Sequence, residues 1–299
     1  MNSIPRRGAV IGLRRQGVVG AACLAEWGHQ VVAADHDYER IRSLAEGRAG
    51  LSEPGLDELI QLGIKSGHLS FTNNLEAAVA GCRAVFLMHD TSVEGRDGYD
   101  LSALLRALTD MAPGLAAGVI ILVTAQVPVG TTAELGKLLQ QLRPGLGAHL
   151  AYAPENMPEG SAVAYFRQPP FPVLGAEEAE TFSVLESLFQ STGASWHRCD
   201  VRTAEMVRYA LHGYLAVTTC FANELGNLCG TVGADSQRLA TLLRLDPRIG
   251  CEAPLIPGPG FSGGSLARDL QALRHLGVSA GLPTALLDGA WTSNGQVRR

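Results

Sequence analysis

Gly8-Ala9-Val10-Ile11-Gly12-Leu13-Arg14-Arg15-Gln16-Gly17, and after it Gln30-Val31-Val32-Ala33-Ala34-Asp35, are the residues on which the fold turns. The first is a short apolar run ending in glycine, helix-compatible residues extend from Gly17 to Trp27, and the second is a buried-type strand that ends on a carboxylate. Strand, turn, helix and strand make a βαβ unit, which implies a parallel sheet covered by helices. Working outward, further strands are expected at Ala84–Met88, Val119–Val123 and His149–Tyr152, with helical patterns such as Leu101–Met111 between them. The alternation persists to about residue 198. Beyond Arg202 the residues from Thr203 to Cys229 suit one long helix, and Ser236–Arg244 and Leu266–Leu276 suit shorter ones, so the second domain is expected to be all-helical. The expected domains are 1–200 and 201–299.

The chain has 299 residues, 46% hydrophobic and 18% charged, enough for two domains with real cores. Its net charge is −5 and no block of Lys and Arg stands apart, which argues against nucleic acid or an anionic membrane as partner. No apolar run reaches the ~18 residues of a bilayer span, and Met1–Arg7 leads straight into a strand pattern, so a cytoplasmic protein is expected. The six cysteines, Cys23, Cys82, Cys199, Cys220, Cys229 and Cys251, are scattered without metal-ligand spacing and read as reduced, mostly buried thiols. No metal is expected.

A Rossmann-like, doubly wound sheet binds a dinucleotide at a Gly-rich turn, because the backbone must approach the pyrophosphate and a helix N-terminus must face it. The usual G-x-G-x-x-G reads here Gly12-Leu13-Arg14-Arg15-Gln16-Gly17, with arginine in the place of the middle glycine. Arg14 leaves two readings: its guanidinium pairs with a displaced pyrophosphate, or its bulk closes the site. Asp35 stands where a carboxylate accepts from an adenosine ribose, which favours NAD over NADP. The expected cofactor is NAD, contacted by Gly12, Arg14, Gly17 and Asp35, with Arg14 setting whether it binds at all.

Several later stretches, in order, resemble the UDP-glucose/GDP-mannose dehydrogenase family: Gly28-His29-Gln30-Val31-Val32, Ser52-Glu53-Pro54-Gly55-Leu56, Val127-Pro128-Val129-Gly130-Thr131-Thr132, Pro154-Glu155, Asn223-Glu224, Asp246-Pro247-Arg248-Ile249-Gly250 and Gly258-Pro259-Gly260-Phe261. The likeness implies a helical central domain that dimerises. It also implies NAD-dependent oxidation of a nucleotide sugar's C6 alcohol through a cysteine, which carries a thiohemiacetal and then a thioester.

This chain departs from that pattern where the chemistry sits. The family's loop cysteine corresponds to Ser265 in Gly258–Asp269, and its K-Y-x-x-N reads Arg208-Tyr209-Ala210-Leu211-His212. The water-ordering threonine is Gln126, and the cofactor-side G-T-P reads His89-Asp90-Thr91. Glu155, Asp269, Asn223, Arg248 and the loop through Gly260 and Phe261 are kept. The resemblance places Asn223, Arg248, Gly260 and Phe261 at the substrate. It also implies a third, nucleotide-holding domain, and the chain stops at Asn294–Arg299, about where that domain would begin.

The candidate catalytic residues are therefore Glu155, Arg208, His212, Ser265, Asp269 and Gln126, with Arg208 and His212 on one helix face because they are four residues apart. Ser265 also reads as a backbone-capping hydroxyl, and Asp269 as a helix N-terminal carboxylate. Two functions compete. One is a repurposed enzyme, either a two-electron NAD(P)-type oxidoreductase or a non-redox catalyst, acting on a small substrate without a nucleotide handle. The other is a non-catalytic dimeric protein that binds a ligand or partner. The polar replacements favour the enzyme, and a homodimer is expected in both cases.

Overall fold

The computed structural model describes residues 7–89, 93–94, 98–154, 157–262 and 264–297, with the backbone alone at 93–94, 98–99 and 264–265. Two compact units divide the chain, Met1–Glu205 and Met206–Arg299. In the first, the strands are β1 (Arg7–Ile11), β2 (Gln30–Ala34), β3 (Leu69–Thr72), β4 (Ala84–Leu87), β5 (Val93–Glu94), β6 (Gly98–Tyr99), β7 (Ile120–Val123), β8 (His149–Tyr152), β9 (Val173–Gly175) and β10 (His197–Cys199). β5 and β6 form a separate antiparallel pair.

The other eight strands form one sheet in the order β10-β9-β8-β7-β4-β1-β2-β3, and only the β8–β9 pair is antiparallel. This is a doubly wound sheet. Gly8 of β1 pairs with Val31 of β2 on one side and Ala84 of β4 on the other, so the winding direction reverses between β1 and β4. The carboxyl ends of those two strands border the crevice where such sheets hold ligands. β4 and β7 are buried at every position, which is why they read as unbroken apolar runs rather than alternating ones.

Two buried carboxylates hold helix starts that lack side-chain caps of their own. Glu205 accepts from the backbone N–H groups of Gly130 at 2.5 Å and Thr132 at 2.9 Å, at the head of the helix Thr131–Leu142. Glu53 does the same for Gly160 at 2.9 Å and Ala162 at 3.0 Å, at the head of Ala162–Arg167. Each satisfies donors that a helix N-terminus leaves open and sets its negative charge on the positive end of the helix dipole.

The second unit is helical throughout its described elements. The helix Val201–Val232 continues into it, followed by Ser236–Leu243, Gly264–Ser279 and Ala285–Val297. Ala216, Cys220, Leu270 and Ala290 form a small core with Phe261 and Trp291 packed against it. Arg274 pairs with Asp288 and lies over the Trp291 ring, tying the last two helices together. Leu211, Tyr214, Phe221, Leu228 and Val232 leave large apolar side chains exposed along the long helix. Among the described residues no helix is long and apolar enough to cross a membrane.

Candidate functional sites

In the first unit the glycine turn follows β1. Gly12 has φ +93°, a conformation that favours glycine, and a Cβ built there would lie 2.8 Å from the His89 Nδ1. Gly17 has a different reason to be glycine: a Cβ on it would fall 1.7 Å from the carbonyl oxygen of Gly12. The helix Arg15–Glu26 that starts here has no side-chain cap and no acidic residue in its first turn, so its N-terminus suits an anion. Arg14, at the N-cap, is exposed, and the side chain lying against the turn is that of His89.

Asp35 closes the turn from the end of β2. Its carboxylate accepts from Leu13 N–H at 2.6 Å and Asp37 N–H at 2.9 Å, and pairs with Arg40 at 3.0 Å. Burial pushes its pKa up, but those backbone donors and the Arg40 guanidinium outweigh burial and hold the carboxyl below its usual range. His89 follows β4 across the crevice. Burial pushes its pKa down to about 4, against the pull of Asp35 and with help from His36 and Arg14, so the ring is neutral at neutral pH. These groups fit a dinucleotide's diphosphate and adenosine ribose: an open helix N-terminus, a side-chain-free Gly12 and a carboxylate at the end of the second strand.

In the second unit the side chains meet at Asp269, which is fully buried. One of its oxygens bonds the His212 Nδ1 and lies 3.5 Å from the Arg208 Nε, and the other lies 3.4 Å from the Arg268 Nε. His212 is buried too, one helical turn beyond Arg208 on the long helix. An ionised carboxylate only accepts, so the Nδ1 carries the proton and the Nε2 is the ring's basic nitrogen. Asp269 is thus not an N-terminal capping carboxylate. It stands in the second turn of Gly264–Ser279 and accepts from the neighbouring helix instead.

The remaining candidates fall as follows. Ser265 is in the first turn of the same helix, one turn before Asp269, with its side chain outside the described atoms; Glu155 and the Asp90-Thr91 pair lie outside the described residues. Gln126 is buried in the first unit, after β7. Asn223 accepts from Gly258 N–H at 2.8 Å while Asn294 donates to the Phe261 carbonyl at 2.8 Å, so these two amides clamp the loop that carries Gly260. Arg248 is exposed with its fork on Asp246. His89, Arg268 and Asn294 were not singled out as site residues from sequence. Among the described residues no cluster of three or more metal-ligating side chains is present.

The fold and the turn define a dinucleotide-binding α/β unit joined to a helical unit. Residues 6–192 match the UDP-glucose/GDP-mannose dehydrogenase family, NAD binding domain, and residues 202–296 match that family's central domain, so the chain belongs to this family. It is 32% identical to UDP-glucose 6-dehydrogenase of Rhizobium meliloti over 97% of this chain and 68% of that one. It is 31% identical to UDP-glucose 6-dehydrogenase TuaD of Bacillus subtilis, of which it spans 63%. A UDP-glucose dehydrogenase structure from Pyrobaculum islandicum superposes with a TM-score of 0.90 at 32% identity, covering 98% of this chain and 69% of that one. The chain thus spans about two thirds of the length of these relatives.

Proposed function

We propose that this chain is a two-electron, NAD-dependent oxidoreductase acting on a small alcohol without a nucleotide handle, with His212 as its general base. The observation that carries the reading is the buried Asp269–His212 pair. The carboxylate fixes the tautomer and steadies the positive charge the ring acquires when its Nε2 takes a hydroxyl proton. Arg208, beside the pair, favours a substrate oxygen that gains negative charge as its proton leaves. A nicotinamide cofactor, when bound, accepts the two electrons of alcohol oxidation. Gly12, the helix N-terminus at Arg15, and Asp35 would hold it.

By the resemblance Ser265 takes the loop cysteine's position, which supports a reaction without the family's cysteine chemistry. A hydroxyl forms a less reactive acyl intermediate than a thiol, so oxidation stops after two electrons. A panel of small polyols, hydroxy acids and simple sugars, assayed for NAD reduction, tests the reading. Turnover of at least one member is expected. Silence across the panel together with undetectable NAD binding would replace it with a non-catalytic binding role.

The same reading includes a homodimer. A helix face exposing Leu211, Tyr214, Phe221, Leu228 and Val232 needs a covering surface, and a second copy supplies a matching one. Light scattering is expected to give about twice the 31.5 kDa of one chain, and Phe221→Asp with Leu228→Asp to give the monomer. A parent protein that is monomeric at micromolar concentration would count against it.

A further inference from the structure

We propose that His89 is a ligand-contacting residue of the crevice between β1 and β4, and that binding a diphosphate-bearing nucleotide there takes a proton up onto its imidazole. The inference rests on the reading that the first unit holds a dinucleotide, and adds to it a residue that the glycine-turn motif does not contain.

Three observations converge on it. His89 stands just beyond the carboxyl end of β4, and Gly12 just beyond that of β1, so the two flank the point where the sheet reverses its winding. The ring reaches across to the turn, since a Cβ on Gly12 would lie 2.8 to 3.0 Å from three of its atoms. Its Nδ1 is buried without a hydrogen-bond partner, as is Oε1 of Gln16 in the first turn of the adjoining helix. Buried polar atoms normally find partners, and two left over beside an uncapped helix N-terminus mark a place that a polar ligand completes.

The charges around the ring decide the sign of the coupling. Arg14 from the helix N-terminus and His36 after β2 disfavour a second positive charge, while Asp35 favours one but is already engaged by Leu13 N–H and Arg40. Burial outweighs Asp35, so the free ring stays neutral. A diphosphate seated on the helix N-terminus brings negative charge against Arg14 and beside the ring. It offsets the repulsion, supplies acceptors and makes the imidazolium the favoured form. Binding should therefore weaken as pH rises, by at most about tenfold per unit, over the range between the free and the bound pKa of His89. Asp35, its pKa held low, remains ionised over that range and adds no slope.

The test is calorimetric titration of NAD and of ADP-ribose into the full chain at pH 5, 6 and 7, in buffers of unlike ionisation heat, for the parent and for His89→Gln. The expected result is proton uptake by the parent with both ligands, growing as pH falls, and a flat, proton-free profile for His89→Gln. Equal uptake by the two proteins, or none by the parent, would overturn the proposal. So would tighter binding by His89→Gln at every pH, which would make His89 a plug, and so would no binding of either nucleotide to either protein. ADP-ribose lacks the ring that takes electrons, so its binding is read independently of turnover. Proton-linked binding without any oxidation would remove the proposed reaction and leave His89 in its role.

Discussion

His212→Asn lowers turnover on any alcohol the protein oxidises by about 10²- to 10⁴-fold, the range a positioned general base supplies. The substitution keeps the helix and restores the residue type of the family's K-Y-x-x-N pattern, so a structural loss is not expected to account for the effect. Asparagine cannot take the hydroxyl proton, and its amide still bonds Asp269, so the carboxylate keeps a partner. The loss should fall on kcat, with KM changed little, because the proton moves only in the reaction. An unchanged rate would remove His212 from the chemistry. Asp269→Asn should also reduce kcat, and because it leaves Arg208 and Arg268 without their shared carboxylate it should destabilise the second unit as well.

Gly17→Ala is expected to have the largest effect on stability of any single methyl added to the first unit. The new Cβ would fall 1.7 Å from the Gly12 carbonyl oxygen, a backbone atom that cannot swing aside. Either the helix Arg15–Glu26 lifts from β1 or the turn opens, and both break apart a helix whose residues from Gly17 to Ala25 are all buried. A loss of about 3 kcal/mol or more in urea unfolding is expected, together with loss of NAD binding. Gly28→Ala makes the contrast. No atom lies within 4 Å of its Cβ position, so only its positive φ of 86° opposes the methyl, and the loss should be about 1 kcal/mol. Equal losses at the two positions would show that backbone conformation, not the close approach of helix and turn, makes Gly17 necessary.

The sheet was legible where its strands are buried on both faces, since β1, β2, β4 and β7 present continuous apolar runs bounded by polar or glycine residues. β9 was not, because Val173-Leu174-Gly175 is too short to show a period and follows prolines. The helix Ala285–Val297 also escaped notice, since Gly289, Thr292, Ser293, Asn294 and Gly295 are weak helix formers that only packing holds in place. Helical spacing did put Arg208 and His212 on one face. What it could not give was their meeting with Asp269, because a contact between residues 212 and 269 leaves no local trace in sequence. Glu205 likewise carries no local sequence signal for its role, although it is fully buried and holds the start of another helix. His89 is legible in sequence only as the start of the cofactor-side segment after β4, because nothing local shows that its ring, rather than Arg14, lies against Gly12.

In the proposed function, proton transfer at His212 takes the place of the cysteine-dependent oxidation that the family resemblance implies. This exchange is tested most directly by incubating the parent and Ser265→Cys proteins with saturating NAD and UDP-glucose, following NADH and the sugar acid together. No NADH and no acid are expected from either protein, because Ser265→Cys adds a thiol to a site that still has Arg208 and His212 where the resemblance implies lysine and asparagine. Two NADH per UDP-glucuronate formed, from the parent or from Ser265→Cys, would show that the four-electron oxidation survives and remove the proposed function.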